Sequence, residues 1–439
     1  CEEGCEKRER PEERTQCRER CQEEFRREQE ERGQGGHGNQ RDPERQLQHC
    51  RQKCRSESAG TEQAIRFRGP SFHYQFKTQH GRVWILQRFT ERSSFLHGVE
   101  NYRMAILEAD PQTLIVPTHF DAEAIFFVAE VSVFINECIR ESFNLRRGDI
   151  LRIPSGTTLY MINRDDDRKL VIVKLLQPMA TPGHFEAFYS QSYFEAFSDE
   201  LLEAALNARS EKFRRLFSQQ GKIIKASKEQ IRALSHHEEG GIWPFGSQSK
   251  SSYNIFDERP TRYYEGLEDL DIAVAFANMT QGSMIAPYYN SRTAKIAIVL
   301  RGEEYFEMAG PHLSSESEQG SEGSRRREQS GQSYQTVRAN LRPGTAFVIP
   351  TSHPFTTVAS QNQDLQIACF DINARNNRKF HLSGRRNIFI QLEREVKELA
   401  FGAPAREVDE VFQSQEDEFF GKGPSRRQSR SLQNFLCSS

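Results

Sequence analysis

The sequence predicts a mainly β protein whose fold is built twice along one chain. Three observations carry that prediction. First, the corner Gly148-Asp-Ile-Leu-Arg-Ile-Pro-Ser-Gly156 has a second copy beginning Gly344-Thr-Ala-Phe-Val-Ile-Pro350, with the same Gly-to-Pro spacing. Pro fixes φ and removes a ladder donor while Gly permits positive φ, so the pair belongs where a strand turns sharply. Second, each corner sits in a series of short β-branched and aromatic runs separated by turn residues, the pattern of an antiparallel sandwich or barrel. Third, each series gives way to helical periodicity at matching offsets, since Leu206 to Phe217 is the same step as Phe401 to Phe412.

At 439 residues the chain has room for two ordinary domains plus extensions, at roughly 150 residues each. Its hydrophobic content of 36% is low, but the shortage is concentrated in residues 1–60 and 313–335. A net charge of −2, from 60 basic and 62 acidic residues, gives no reason to expect a nucleic-acid partner. Arg outnumbers Lys, and Gln and Asn are frequent, a nitrogen-rich composition that suits either solubility or nitrogen storage. No run approaches the roughly 18–20 apolar residues of a membrane span, which argues against stable membrane insertion. The chain begins at Cys1 without an apolar signal region, as a processed fragment would.

Residues 1–60 form a charge-laced extension spaced by cysteines. Cys1-x3-Cys5 is followed by Cys17-x3-Cys21, and a four-residue separation puts both cysteines of a pair on one helix face. Two such helices folded back about Pro11 can be stapled Cys1 to Cys21 and Cys5 to Cys17. A hairpin without a core needs that kind of staple. Zinc would favour a tighter Cys-x2-Cys pair with His partners. Disulfides imply the secretory pathway. Cys50-x3-Cys54 is a third copy, and the sequence leaves the pairing of Cys50, Cys54 and Cys437 open.

The first β series and its helices occupy residues 65–220. Its strands are expected at Val83–Phe89, Tyr102–Glu108, Thr113–Pro117, Ile125–Val128, Val131–Ile135, Ser142–Leu145, Ile150–Ile153, Tyr160–Ile162 and Leu170–Leu176. One helix is expected over Asp199–Phe217, capped by Ser198 and Asp199, with an apolar face that includes Leu201, Leu206 and Phe217. Residues 221–252 read as a linker with a helical turn near Ser227–Leu234. The second series, within 253–425, places strands at Ile272–Asn278, Met284–Tyr288, Lys295–Leu300, Glu304–Met308, Gln335–Arg338, Ala346–Ile349, Phe355–Val358 and Leu365–Asp371. Residues 313–335 interrupt it, and the Ser-, Glu- and Gly-rich stretch Ser314–Gln332 is expected to be disordered. Helices over Phe389–Phe401 and Ala405–Phe412 follow, broken by Pro404, and residues 426–439 read as a flexible tail.

The Gly-x5-Pro-x-Gly corner in two β halves, with Ser352 replacing the last Gly in the second, resembles the cupin superfamily. Asn101-Tyr-Arg103, Arg152-Ile-Pro-Ser-Gly-Thr157, Lys174-Leu-Leu-Gln-Pro178, Ile242-Trp-Pro-Phe245, Tyr289-Asn-Ser-Arg292, Phe306-Glu-Met308, Lys397-Glu-Leu-Ala-Phe401 and Pro404-Ala-Arg-Glu407 are similar to the vicilins, the bicupin 7S seed storage globulins. The likeness covers residues 65–425, and the Cys-x3-Cys pairs resemble an N-terminal extension found in that family. One departure is Val131-Ser-Val133, where the family usually turns on Gly-x-Gly. The resemblance implies two cupin barrels, each followed by a helical arm.

Enzymatic cupins hold a metal on two His, a Glu and a further His, a donor set that leaves positions open for substrate. In the first half those positions read Thr118, Phe120, Ala124 or Ile125, and Leu159; in the second they read Tyr288, Asn290, Lys295 and Phe355. None is a His or Glu, so the expectation is no enzyme and no cofactor. His119 lies one residue off the ligand phase and should point to the other face of its strand. Some vicilins bind copper through a Cys two residues before a His; here His312 and His353 are the candidate metal ligands, but the Cys position is Gly310. Cys138 and Cys369 read as buried thiols. Asn278-Met-Thr280 is a glycosylation sequon beside a strand.

The resemblance further implies a homotrimer closed head to tail through the arms, with Leu201, Leu206, Phe217, Leu399, Phe401, Val408, Val411 and Phe412 as apolar contacts. The alternative is that these residues cover their own half. The functional expectation is a seed storage protein of protein storage vacuoles, a nutrient reservoir mobilised by proteolysis at its polar segments, from a family that includes food allergens. Two other readings stand beside it. The Cys-x3-Cys segment resembles vicilin-derived antimicrobial or protease-inhibitor peptides, although acidic residues there are as frequent as basic ones. The degenerate barrels could also hold a small ligand such as a carbohydrate or a carboxylate.

Overall fold

The computed structural model describes residues 65–137, 142–189, 194–217, 221–235, 252–256, 267–310, 334–417 and 419–424. The chain divides into two compact units, Cys1–Ala64 with Gly310–Val337, and Ile65–Ala309 with Arg338–Ser439. The first lies almost wholly outside the described residues, as do the expected Cys1–Cys21 and Cys5–Cys17 staples, Cys50, Cys54, Cys138, Cys437, His312 and the Ser314–Gln332 stretch.

In the first half two sheets share one core. Seven strands run in the order Ser252–Asn254, Asp149–Ile153, Ala122–Glu130, Leu170–Pro178, Arg103–Ala109, Gly81–Leu86, Phe72–Thr78. Opposite them lie Ala187–Tyr189, Thr113–Phe120, Leu159–Asn163, Val133–Glu137 and Ser142–Leu145, with Ile223–Lys225 also on Thr113–Phe120. Alternation decides which side chains face inward. Leu170, Ile172 and Leu176 meet Phe126, Leu151, Leu159 and Met161 in a core whose members are nearly all shielded from solvent. The ladders end at Phe72–Thr78 and Ser142–Leu145 without meeting, so the first of the expected jelly-roll barrels is an open pair of facing sheets.

The second half repeats the plan. One sheet runs Arg66–Phe67, Ala346–Ile349, Ala294–Arg301, Leu365–Ile372, Ile272–Met279. The other runs Gln335–Leu341, Glu304–Gly310, Phe355–Ala359, Ser283–Ile285, Phe420–Lys422, and Tyr288–Asn290 bridges Phe355–Ala359 to Lys379–His381. Phe306 and Phe347 stack across the two sheets with ring centroids 4.8 Å apart.

Each half lends a strand to the other. Arg66 and Phe67 pair with Phe347 and Ala346 of the second half, and Ser252–Asn254 pairs with Asp149–Leu151 of the first. Arg152 Nη1 donates to both carboxylate oxygens of Asp269 at 2.8 Å, and Phe127 stacks on Phe276. The halves are therefore laced by backbone as well as packed.

The repeated corner has the expected geometry. Gly148 and Gly344 take φ of +89° and +79°, and Gly156 takes +75°. Ser352, standing where the first copy has Gly156, adopts φ +65° all the same. Val131 shows the converse substitution. It takes φ +56°, a region costly for a β-branched residue, at the turn where the second half has Gly302 at +83°.

The helix expected over Asp199–Phe217 is two helices, Asp199–Leu206 and Ser210–Phe217. Asn207 ends the first in the left-handed region at φ +47°, and the Glu203 carboxylate then accepts the Ser210 N–H at 2.7 Å. Asp199 ties the pair together through Arg214, Nη2 to Oδ2 at 2.7 Å. In the second arm Arg394–Phe401 stops at Gly402, φ +60°, and Ala405–Phe412 folds back on it. Buried Lys397 fastens this turn by donating to Asp409 Oδ1 at 2.7 Å and to the Ile390 carbonyl at 3.0 Å.

Candidate functional site

The positions where an enzymatic cupin holds its metal are brought together inside each half, and they are filled by other chemistry. In the first half Leu159 is fully buried and lies across the ladder from Thr118. The Thr118 hydroxyl is already committed, donating to the Phe188 carbonyl at 3.1 Å. Phe120 packs edge-on against Phe126, and Ala124 belongs to the same core, whereas Ile125 lies outside it. In the second half Tyr288 lies opposite Phe355 with ring centroids 4.6 Å apart, and Asn290 accepts from Asn377 Nδ2 at 3.0 Å.

Lys295 is the informative position. Its ammonium, almost wholly buried, donates to both oxygens of Asp371 at 2.6 and 2.7 Å. Burial by itself lowers the pKa of this lysine; the adjoining carboxylate outweighs burial and holds the ammonium above its usual range. Burial likewise pushes the Tyr288 phenol up to about 12 and the Cys369 thiol up to about 11. A cation that already has its counter-ion sits where the Glu ligand of an enzyme would.

The first half lacks that pair. Across the matching ladder Ala124 faces Leu176, as Lys295 faces Asp371. Its charge lies two residues back instead, on Lys174, which is buried with 4% exposure. The Lys174 ammonium rests on the faces of Phe126 and Phe120, 4.6 and 5.1 Å from the ring centroids. It borders a cavity of about 10 Å³, whose wall includes Gln75, Thr118, Met161 and Tyr189 and contains no Asp or Glu. Burial pushes its pKa down to about 7.

Lys174 and Asp371 are neither His nor Glu and fall outside the expected ligand positions. A signal for Lys174 was present: Leu170, Ile172, Lys174 and Leu176 share one strand face, so a charge interrupts an apolar row. Nothing local announces Asp371 as the partner of a lysine 76 positions away.

Of the other candidates, His119 stacks flat on Phe188 on the face opposite Thr118 and Phe120. His353 is buried, with Nδ1 2.8 Å from the Thr351 carbonyl and its ring edge-on to Phe95. Asn278 is exposed on the edge strand Ile272–Met279, where its Oδ1 accepts from Gln366 Nε2 at 3.3 Å. Among the described residues no group of three or more His, Cys, Asp or Glu is placed to hold a metal, and no helix is long and apolar enough to cross a membrane.

The arms split into two kinds of residue. Val408 is buried within its own chain, and Phe412 stacks on Phe389 at 4.5 Å, with Phe401 closing an aromatic triangle. Leu201, Leu206, Leu399 and Val411 are exposed, Leu399 by 86%, and Phe401 keeps one face outward.

Comparison with known proteins agrees with this architecture. Residues 258–409 match the Cupin family. The vicilin Jug r 6.0101 of Juglans regia is 50% identical over 391 residues, covering 82% of this chain and 78% of its own length. The vicilin Cor a 11.0101 of Corylus avellana is 48% identical, covering 85% and 86%. The crystal structure of the Corylus avellana vicilin superposes with a TM-score of 0.75 at 47% identity, over 82% of this chain and all of that one. Two cupin halves with helical arms, and identity of this extent, show that the chain belongs to the vicilin family of 7S seed storage globulins.

Proposed function

We propose that this chain serves as a non-catalytic reserve of amino acids, held as a homotrimer in protein storage vacuoles and mobilised by proteolysis. The observation that carries the non-catalytic reading is the filling of both interiors. Leu159 in one half and the Lys295–Asp371 pair in the other occupy the ground a catalytic divalent ion requires. Copper at His312 and His353 would lack the family's thiolate donor, since that position is Gly310. Elemental analysis of the purified protein tests this reading; stoichiometric copper or zinc would overturn it.

The trimer is supported by the two exposed apolar patches, one on each arm. Heterologous contact between unlike patches closes a ring when the rotation permits, and burying a leucine contributes about 1.5–3 kcal/mol per contact. Light scattering should give about three times the 50.8 kDa chain mass. Leu399→Asp, at a site where the single chain makes little use of the side chain, should shift that mass to one chain while circular dichroism stays unchanged. An unaltered trimer in this variant would remove Leu399 from the interface.

A further inference from the structure

We propose that Lys174 is a carbonyl-reactive amine, which condenses inside the first half with formaldehyde to form an imine. Three features of the geometry lead there. The side chain is nine-tenths buried and ends at a cavity, so its amine meets a space that admits about one water-sized group. No carboxylate lines that cavity, and the contacts to the amine are aromatic faces. The second half supplies an internal control, because Lys295 is equally buried but clamped by both oxygens of Asp371.

A lysine attacks a carbonyl only as the free amine, and an apolar surround favours that form. The downward shift of the Lys174 pKa to about 7 agrees with this state, while Asp371 keeps Lys295 charged and unreactive. The titratable groups near Lys174 do not reverse the argument. Tyr189, on the cavity wall, is held above its usual range by burial and stays neutral. Lys222 rests instead on the Tyr189 and Phe76 rings, 4.4 and 5.0 Å from their centroids.

The reaction balances without an oxidant or reductant. The Nζ lone pair adds to the aldehyde carbon, and the carbonyl π pair moves to oxygen, which takes a proton from nitrogen to give a carbinolamine. Loss of water, carrying away the remaining N–H proton, leaves a neutral C=N bond. A neutral product suits a chamber walled by Met161, Phe120 and Tyr189.

The test treats the intact, assembled protein with formaldehyde and cyanoborohydride from pH 6 to 9 and locates methyl groups by peptide mass mapping. At pH 7 a lysine of pKa near 7 is about half free amine, against roughly one part in three thousand for an ordinary lysine. Lys174 is therefore expected to react at least tenfold faster than Lys295 at pH 7. Its rate should level off above pH 8, while exposed lysines such as Lys169 keep rising about tenfold per pH unit. Benzaldehyde, too large for the cavity, should label the surface and spare Lys174. Lys174→Arg should abolish the fast phase at its peptide. The proposal fails if Lys174 is still unmodified once exposed lysines have reacted. It also fails if the Lys174 rate climbs with pH in parallel with theirs, or if Lys295 reacts as fast.

Discussion

Removing one member of the Lys295–Asp371 pair should damage the protein far more than removing both. The two heavy-atom distances, 2.6 and 2.7 Å, make this a two-pronged, charge-assisted contact between side chains only 5% and 13% exposed. Asp371→Leu leaves the Lys295 ammonium in the core without its counter-ion, which should cost about 3–5 kcal/mol. Lys295→Met with Asp371→Leu replaces the pair by apolar groups of similar volume, and such exchanges are neutral or stabilising by about 1–4 kcal/mol. Urea unfolding followed by tryptophan fluorescence, at one fixed protein concentration because association adds to apparent stability, reads the difference. With a slope of a few kcal/mol per M for a fold of this size, the single variant should unfold about 1–2 M earlier. The double variant should lie at or above the parent. If the double variant is as weak as the single one, the residues act through shape and not charge. A shift below about 0.3 M in the single variant would show that water reaches Lys295, and the account of this interior would be wrong.

Three further outcomes follow from particular residues. Gly302→Ala should lower the urea midpoint by an amount equivalent to at least about 2 kcal/mol, because φ is +83° and the new Cβ collides with the Asp364 carbonyl oxygen. Ser352→Gly should raise it by up to about 1 kcal/mol, since the exposed serine holds φ +65° with only its backbone amide bonded, to the Asn290 carbonyl at 2.9 Å; a loss of stability would show that the Ser352 side chain contributes unseen. Lys174→Met should stabilise by a few kcal/mol at pH 5.5, where the parent buries a charged lysine. From about pH 7 to 10.5 the unfolded chain holds a proton that the folded chain has released, so parent stability rises with pH and the advantage of Met shrinks across that window. Midpoints measured at pH 5.5, 7.5 and 9.5 decide it.

Why the fold was legible and its interior was not comes down to how far each determinant reaches along the chain. The corner is local: Gly, five residues and Pro determine it, and both copies turn with positive φ at Gly148 and Gly344. The arms were nearly as local, and the error there has a local cause, since an Asn in the left-handed region ended a helix that apolar periodicity alone would have continued to Phe217. Closure was not local. Whether two sheets meet in a barrel depends on edge strands such as Phe72–Thr78, half-exposed and weakly patterned, which no expected strand covered. The exchange of Arg66–Phe67 and Ser252–Asn254 between halves rests on two or three residues each, too short for any periodicity to register.

The interior adds a second lesson, about what the absence of a ligand means. Reading Leu159 and Lys295 only as missing His and Glu treats both halves as equally vacant, and they are not. Duplication gave each half the same inward-facing rows, so a residue in one can be judged by its counterpart in the other. Where the second half answers a buried lysine with Asp371, the first answers Lys174 with two aromatic rings and a small cavity. Neither arrangement supplies the His and Glu donors of an enzymatic cupin: the first offers an amine and no carboxylate at its cavity, and in the second the carboxylate is already held by Lys295. They differ in what remains possible afterwards. A neutralised pair is chemically finished, whereas an amine without a counter-ion keeps a lone pair in reach of whatever enters, and that residue separates the two halves of this globulin.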